Sequence, residues 1–311
     1  MLEESTREGF GRGLAEAGEA DARVVALTGD LNDSTKVEAF AKKFPGRFVQ
    51  AGIAEQNMVA MAAGLAIAGK VPFAASFGAF LPARCFDQIR VSVALSNLNV
   101  KLAATHCGVT TGEDGANAQM LEDIALMRSL PNFTVIAPCD GEEARKATVA
   151  AASIAGPMYL RLGRERVPHV SGNGAFTIGK AVTLHEGSDV AIIANGVEVA
   201  QALEAAKALA AKGVSARVIN LHTIKPLDEN TLVKAAAQCG CVVTAEEHQL
   251  QGGVGSAVAE LLAERRPTPI EMVAVRSKFG ESGKPAELLK KFGLDAKGIE
   301  RAALRALARR K

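Results

Sequence analysis

The chain has no tryptophan and one tyrosine, so twelve phenylalanines carry nearly all of its aromatic character. Burial falls instead to Ala, Val, Leu and Ile. With 48% of residues apolar there is ample surface for a core, which excludes a disordered chain. An excess of one charge is also lacking, since 36 basic residues against 34 acidic leave a net +2. The total therefore makes no electrostatic case for nucleic acid or an anionic membrane. Long apolar runs are missing too. The most apolar stretch, 59–68, runs into Gly69-Lys70 and is too short to span a bilayer. Cys85, Cys107, Cys139, Cys239 and Cys241 are odd in number and scattered, which is no disulfide framework. Only Cys239 and Cys241 are close-spaced. Val242 and Val243 beside them read as a buried strand, and two thiols fall short of a structural zinc set. The first residues lack a basic segment followed by an apolar one, so no secretory signal is read. A reduced, cytoplasmic protein is expected.

What the sequence does have is alternation. Apolar runs at 23–28, 48–51, 71–77, 99–104, 134–137 and 158–161 read as buried strands. Helical patterns at 7–17, 55–68, 82–96 and 142–155 separate them. Such an order indicates a parallel sheet covered on both faces. A Gly- and Pro-bearing stretch without periodicity, 163–187, breaks the pattern. Beyond it strands at 190–194, 216–220, 241–245 and 270–275 alternate with helices at 197–212, 228–238 and 255–263. Residues 286–311 read as a closing helix, whose basic positions suggest a solvated face. The expected fold is α/β, with two doubly wound, mainly parallel-sheet domains over 1–165 and 189–311 and a linker over 166–188.

Two glycine strings resemble phosphate loops. Gly9-Phe-Gly11-Arg-Gly13 lies inside a helical pattern instead of after a strand, so it fails the context that a dinucleotide site requires. Gly252-Gly-Val-Gly255 follows a strand, but no second strand ends in the acidic residue such a site needs. Close helix packing and a helix start explain both better.

Four segments place polar groups where a strand meets a loop, the ligand side of open parallel sheets. Glu55 in Gly-Ile-Ala-Glu-Gln-Asn-Met follows a strand and opens an apolar helix. Taken alone, it could be a charge favoured by the helix dipole. Phe77 and Phe80 make a candidate flat wall at a strand end, with core filling as the alternative. The segment 105–115 packs His106, Glu113, Asp114 and three glycines into one loop, as a binding loop or as a solvated turn. Arg161-Leu-Gly-Arg164-Glu-Arg166 offers guanidinium groups suited to phosphate, or a surface charge cluster.

In this order the segments resemble the C-terminal half of transketolase, over essentially the whole chain. Arg7 in Ser-Thr-Arg-Glu, Gly29-Asp-Leu-Asn-Asp-Ser34, Gly-Ile-Ala-Glu55-Gln-Asn-Met, Ser-Phe77-Gly-Ala-Phe80, Thr-His106 with Gly-Glu-Asp114-Gly, and Gly-Arg164-Glu carry the likeness. Thr223-Ile-Lys-Pro-Leu-Asp and Ser282-Gly-Lys-Pro-Ala-Glu-Leu-Leu extend it through the second domain.

The resemblance implies thiamine diphosphate as cofactor, with residues 1–165 as the pyrimidine-binding domain. It implies that Glu55 is catalytic, hydrogen-bonding N1′ of the aminopyrimidine. That role asks for a desolvated, protonated carboxyl, and Ile53 and Met58 beside it look suitable. Phe77 and Phe80 would pack the ring, and Asp30 would contact the cofactor. Arg7, Ser34 and Arg164 would bind substrate phosphate, and His106 and Asp114 sugar hydroxyls, with His106 also catalytic. No metal ligand is assigned to this chain.

Two departures from the family shape the reading. Where many members have a second His after Gly-Glu-Asp-Gly, this chain has Ala118. The Gly-Asp-Gly…Asn motif that holds Mg²⁺ and the diphosphate is missing. A partner N-terminal subunit is therefore expected to supply that site, most simply in an α2β2 assembly acting on sugar phosphates. The alternatives are the beta chain of a 2-oxo acid dehydrogenase, an enzyme similar to deoxyxylulose-phosphate synthase, or a non-catalytic relative.

Overall fold

The computed structural model describes residues 3–310. Its strands in chain order are β1 (Glu3–Ser5), β2 (Val24–Thr28), β3 (Phe48–Gln50), β4 (Val71–Phe77), β5 (Lys101–Thr105), β6 (Thr134–Ile136), β7 (Met158–Arg161), β8 (Arg166–Pro168), β9 (Val182–His185), β10 (Val190–Ala194), β11 (Ala216–Asn220), β12 (Thr223–Lys225), β13 (Val242–Gln249) and β14 (Ile270–Val275). One sheet runs β12-β6-β7-β5-β4-β2-β3, and a second runs β14-β13-β10-β11-β9. Both are parallel except for β12 and β9, which pair antiparallel with β6 and β11. The reason is visible in the strands. Every residue of β2, β5, β7 and β10 is buried, so both faces need cover. Even Lys101 in β5 is wholly buried, with its ammonium donating to the Ile154 and Gly156 carbonyls at 2.7 Å each.

The first glycine string is explained by close packing. The helix Thr6–Ala20 lies on the helix Gly141–Ser153. A Cβ on Gly9 would fall 1.9 Å from the Gly141 carbonyl oxygen, and one on Gly13 2.6 Å from that of Arg145. In the second string, the amides of Val254 and Gly255 at a helix start donate to the buried Glu246 carboxylate at 2.7 and 2.8 Å. This chain's own acid thus fills the place a ligand anion would take.

Several expectations change. The helix expected at 82–96 begins at Ala79 and contains wide π-type turns at Ala79–Ala83 and Ile89–Ala94, which accommodate Pro82. The stretch expected as a linker, 166–188, carries two strands. β8 pairs with β1, and β9 edges the second sheet. The closing helix is two, Pro285–Phe292 and Ala296–Ala308, separated at Gly293, whose φ of +70° is left-handed. Lys311 of that expected helix lies outside the described residues. Its basic face is also not simply solvated, since Arg305 and Arg309 pair with Glu271 at 3.0 and 2.6 Å.

The two sheets are joined by more than chain continuity. β12 lies beyond β11 in sequence yet completes the first sheet. Arg161, at the end of β7, donates to Asp123 at 2.9 Å and to the Glu247 carbonyl in β13 at 2.9 Å. The Glu247 carboxylate accepts from the Thr110 amide and hydroxyl at 2.9–3.0 Å.

Candidate active site

The C-terminal ends of β2, β3, β4, β5 and β7 deliver the residues of the site. After β3 the chain turns through Gly52, at φ +69°, into the helix Glu55–Ile67. Glu55 is 3% exposed at the first turn of that helix. A Cβ on Gly29, after β2, would touch the Gly52 carbonyl at 2.9 Å and Glu55 Cγ at 3.7 Å. Gly29-Asp30 and Glu55 are therefore neighbours. Asp30 itself is exposed, at φ +62°, and its amide donates to Gln50 at 2.7 Å. Met58 is fully buried under Glu55, as the apolar setting requires, but Ile53 is 78% exposed and contributes no desolvation. Ile53 falls in the loop ahead of the helix, outside the packed face.

The sequence reading did not find the partner of Glu55. The Arg84 guanidinium donates to its carboxylate at 2.8 Å and lies 4.5 Å from the Phe80 ring centre. A signal existed, because Arg84 follows Phe80 by four residues in a helical pattern, and such positions face each other.

Phe77 and Phe80 stack with ring centres 5.5 Å apart and planes 16° apart. The His106 ring lies 3.6 Å from that of Phe77. The three rings form one continuous stack, with Phe77 in contact with both of the others. His106 is 3% exposed and takes a left-handed φ of +59°. Its Nδ1 is 2.9 Å from the Thr105 hydroxyl. Burial, then the charges of Arg7 and Arg164, push its pKa down to about 3. His106 is therefore a neutral hydrogen-bonding group at physiological pH, and no proton reservoir.

Beyond His106 lies a cationic pair. Arg7 heads the first long helix and donates to the Ser34 carbonyl at 2.9 Å, while its buried Nε has no partner among the described residues. Arg164, after β7, donates to the Thr111 carbonyl at 2.7 Å and lies 3.5 Å from both Asp114 and Glu113. Burial and the nearness of Arg164 push the Arg7 pKa down. The positive charge of Arg164 thus disfavours that of Arg7, a strain that an anion between them would relieve. Ser34 meets this group through its backbone, and Ala118 is 8% exposed in the Asp114 loop.

The loop is fixed from the second domain. Gln119 donates to the carbonyls of Gly112 and Glu281 at 3.0 and 2.9 Å. A Cβ on Gly108, at φ +90°, would overlap the Glu247 carboxyl at 2.0 Å. Glu247 and Gln119 belong to the machinery that places the site, and sequence reasoning missed both. Their partners lie 137 and 162 residues away, with no local pattern to announce them.

Comparison with known proteins places the chain in a family. The family "Transketolase, pyrimidine binding domain" matches residues 3–169, and "Transketolase, C-terminal domain" matches 179–299. A 6-deoxy-6-sulfo-D-fructose transketolase subunit of Clostridium sp. (strain MSTE9) is 45% identical, over 93% of this chain and 90% of its own. A transketolase C-terminal section of Methanocaldococcus jannaschii is 45% identical over 94% and 93%. Among solved structures, a split gene transketolase described as an inactive β4 tetramer superposes with a TM-score of 0.93, at 48% identity and 99% coverage of both chains. The chain belongs to the transketolase family, and it corresponds to the C-terminal section, in which the pyrimidine-binding domain precedes the C-terminal domain.

Proposed function

We propose that this chain is the C-terminal subunit of a two-chain, thiamine-diphosphate-dependent transketolase that moves a two-carbon ketol unit from a ketose phosphate to an aldose phosphate. The observation that carries the reading is a chain of neighbouring groups at the strand ends. A buried carboxylate comes first, then a stacked aromatic wall, then a neutral imidazole, then two mutually repelling arginines.

The residues present fit the aminopyrimidine end of the cofactor. Glu55 would hold its ring nitrogen, Phe77 and Phe80 would bound its face, and Asp30 borders the same turn. When bound, the cofactor would supply a carbon acid whose deprotonated form is a nucleophile toward a ketose carbonyl. This chain's own groups then orient the sugar. His106 is a neutral partner for a hydroxyl near the reacting carbons, and its packing on Phe77 keeps water from that face. Asp114 accepts from a second hydroxyl. Arg7 and Arg164, with Ser34 beside them, anchor the terminal phosphate. A small 2-oxo acid has no phosphate for that pair to hold, so the arginines favour sugar phosphates over it.

Mg²⁺ and the diphosphate would sit on a partner subunit, since this chain has no Gly-Asp-Gly motif. An α2β2 assembly with two-fold symmetry would put each site between chains. Among the described residues no helix is long and apolar enough to cross a membrane. The five cysteines are buried and unpaired, which suits a reducing cytoplasm. The test combines this chain with its partner, thiamine diphosphate and Mg²⁺, and follows ketol transfer between pentose-phosphate pairs. Transfer is expected, and Glu55→Ala should abolish most of it while the complex still forms. A complex that forms but transfers nothing refutes the reading.

A further inference from the structure

A second cationic site lies in the C-terminal domain. β14, the edge strand of its sheet, ends at Val275 and opens into a loop. At that end is a cavity of about 240 Å³, bordered by Arg276, Lys278, Lys291, Arg301 and Arg305, with no acidic residue in its lining.

The charges are not balanced locally. Arg305 is paired with Glu271 at 3.0 Å, and Lys291 with Glu281. Among the described residues, Arg276 donates only to the Met272 carbonyl, at 2.9 Å. Among the described residues, no carboxylate lies within ion-pair distance of Arg276, Lys278 or Arg301. Three uncompensated cations around one concavity repel one another unless an anion joins them.

The loop is also built and not slack. Ser277, between the two basic residues, is held at a left-handed φ of +48°. Gln249 donates to the Lys278 carbonyl at 2.7 Å, and Gln251 reaches the Ser277 hydroxyl at 3.4 Å. A non-glycine residue in that conformation is strained and persists where its surroundings hold it. The cavity is smaller than the roughly 300–1,000 Å³ of drug-sized sites. It suits a compact ligand with more than one anionic group.

We propose that this cavity is a binding site for a small anion bearing two phosphoryl groups, separate from the substrate-phosphate pair Arg7 and Arg164. Arg276 and Arg301 supply charge-assisted donors to the phosphoryl oxygens, and Lys278 adds a point charge.

The test is calorimetric titration of the full chain, without partner or Mg²⁺, using inorganic diphosphate. Parallel titrations use a nucleoside diphosphate, a sugar bisphosphate and orthophosphate. Diphosphate, or one of the two organic ligands, should bind with one-to-one stoichiometry. That binding should weaken at least tenfold in Arg276→Ala and in Arg301→Ala, both exposed positions that should fold normally. It should be unchanged in the Arg7→Gln/Arg164→Gln double variant. Amide exchange should slow at 276–278 when the ligand is added. The ligand that binds tightest identifies the source of the two phosphoryl groups. No binding by any of the three, equal affinity for orthophosphate, or loss of binding only in the Arg7/Arg164 variant would each overturn the proposal.

Discussion

Glu247→Gln isolates the cost of burying a carboxyl between the domains. Burial pushes the Glu247 pKa up to about 7 from a normal 4.5, against the opposing pull of Arg161 and the hydrogen bonds from Thr110. Below pH 4.5 the group is protonated in both folded and unfolded chains. As the pH rises from 4.5 through about 7, the unfolded chain releases the proton and the folded chain keeps it. Stability is therefore lost across that window, and the full loss is in place above pH 7. The shift corresponds to roughly 3 kcal/mol. Glutamine retains the contact, since its oxygen can accept from the Thr110 amide and its amide can donate to the Thr110 hydroxyl. It cannot ionise. Other groups titrate nearby, with Glu143 also raised to about 7 and His222 lowered to about 4, so the difference between variant and parent is the useful quantity. Unfolding in urea, at fixed protein concentration from pH 4.5 to 8, should show the variant gaining on the parent by roughly 3 kcal/mol over that range. A difference that is flat with pH would refute the assignment of the buried proton.

Asp123→Asn should be severe and independent of any ligand, because it leaves the fully buried Arg161 without its counter-charge. A loss of roughly 3–5 kcal/mol in urea unfolding is expected. Gly108→Ala places a methyl against the Glu247 carboxyl at a left-handed position. Roughly 3 kcal/mol should be lost in thermal unfolding, combining backbone strain with a broken buried hydrogen bond. In the assembled enzyme, Arg164→Ala should raise KM for phosphorylated sugars by roughly 10–100-fold, the worth of a charge-assisted bond, with little change in kcat. The same variant should leave KM for an unphosphorylated sugar nearly unchanged.

The buried strands were legible because each is a mostly apolar run between turns or helical patterns. β4, β7, β10, β11 and β14 begin and end where those runs do. β8, β9 and β12 were not legible. They are three or four residues long, and each exists because a distant strand edge accepts it. Pro82 misled the placement of its helix, since proline is at home in a first turn and here sits inside a wide one. At the site, strand-end residues such as Glu55, Phe77 and His106 announced themselves by chemistry in an aromatic-poor chain. What they touch did not. Arg84 on Glu55 and Glu247 on Thr110 are products of packing between segments that sequence keeps apart.

Those hidden contacts give the second domain a direct part in the site. The residues assigned to sugar all lie before 165, yet the loop that carries Asp114 is clamped by residues after 240. Glu247 fixes its first turn, the Glu281 carbonyl holds Gln119 at its end, and Ser282 fills the space beside Gly115 so closely that a Cβ there would lie 2.5 Å from its hydroxyl. Gly112 and Gly115, at φ +80° and +75°, let the backbone approach that surface. A loop with three left-handed glycines is flexible in isolation. Here its shape comes from the opposing domain, so the placing of Asp114 against Arg164 depends on how the two domains meet. The buried ionisable groups at that junction are costly for stability. Glu247 is also the group that holds the loop, so the expensive residue and the positioning residue are the same.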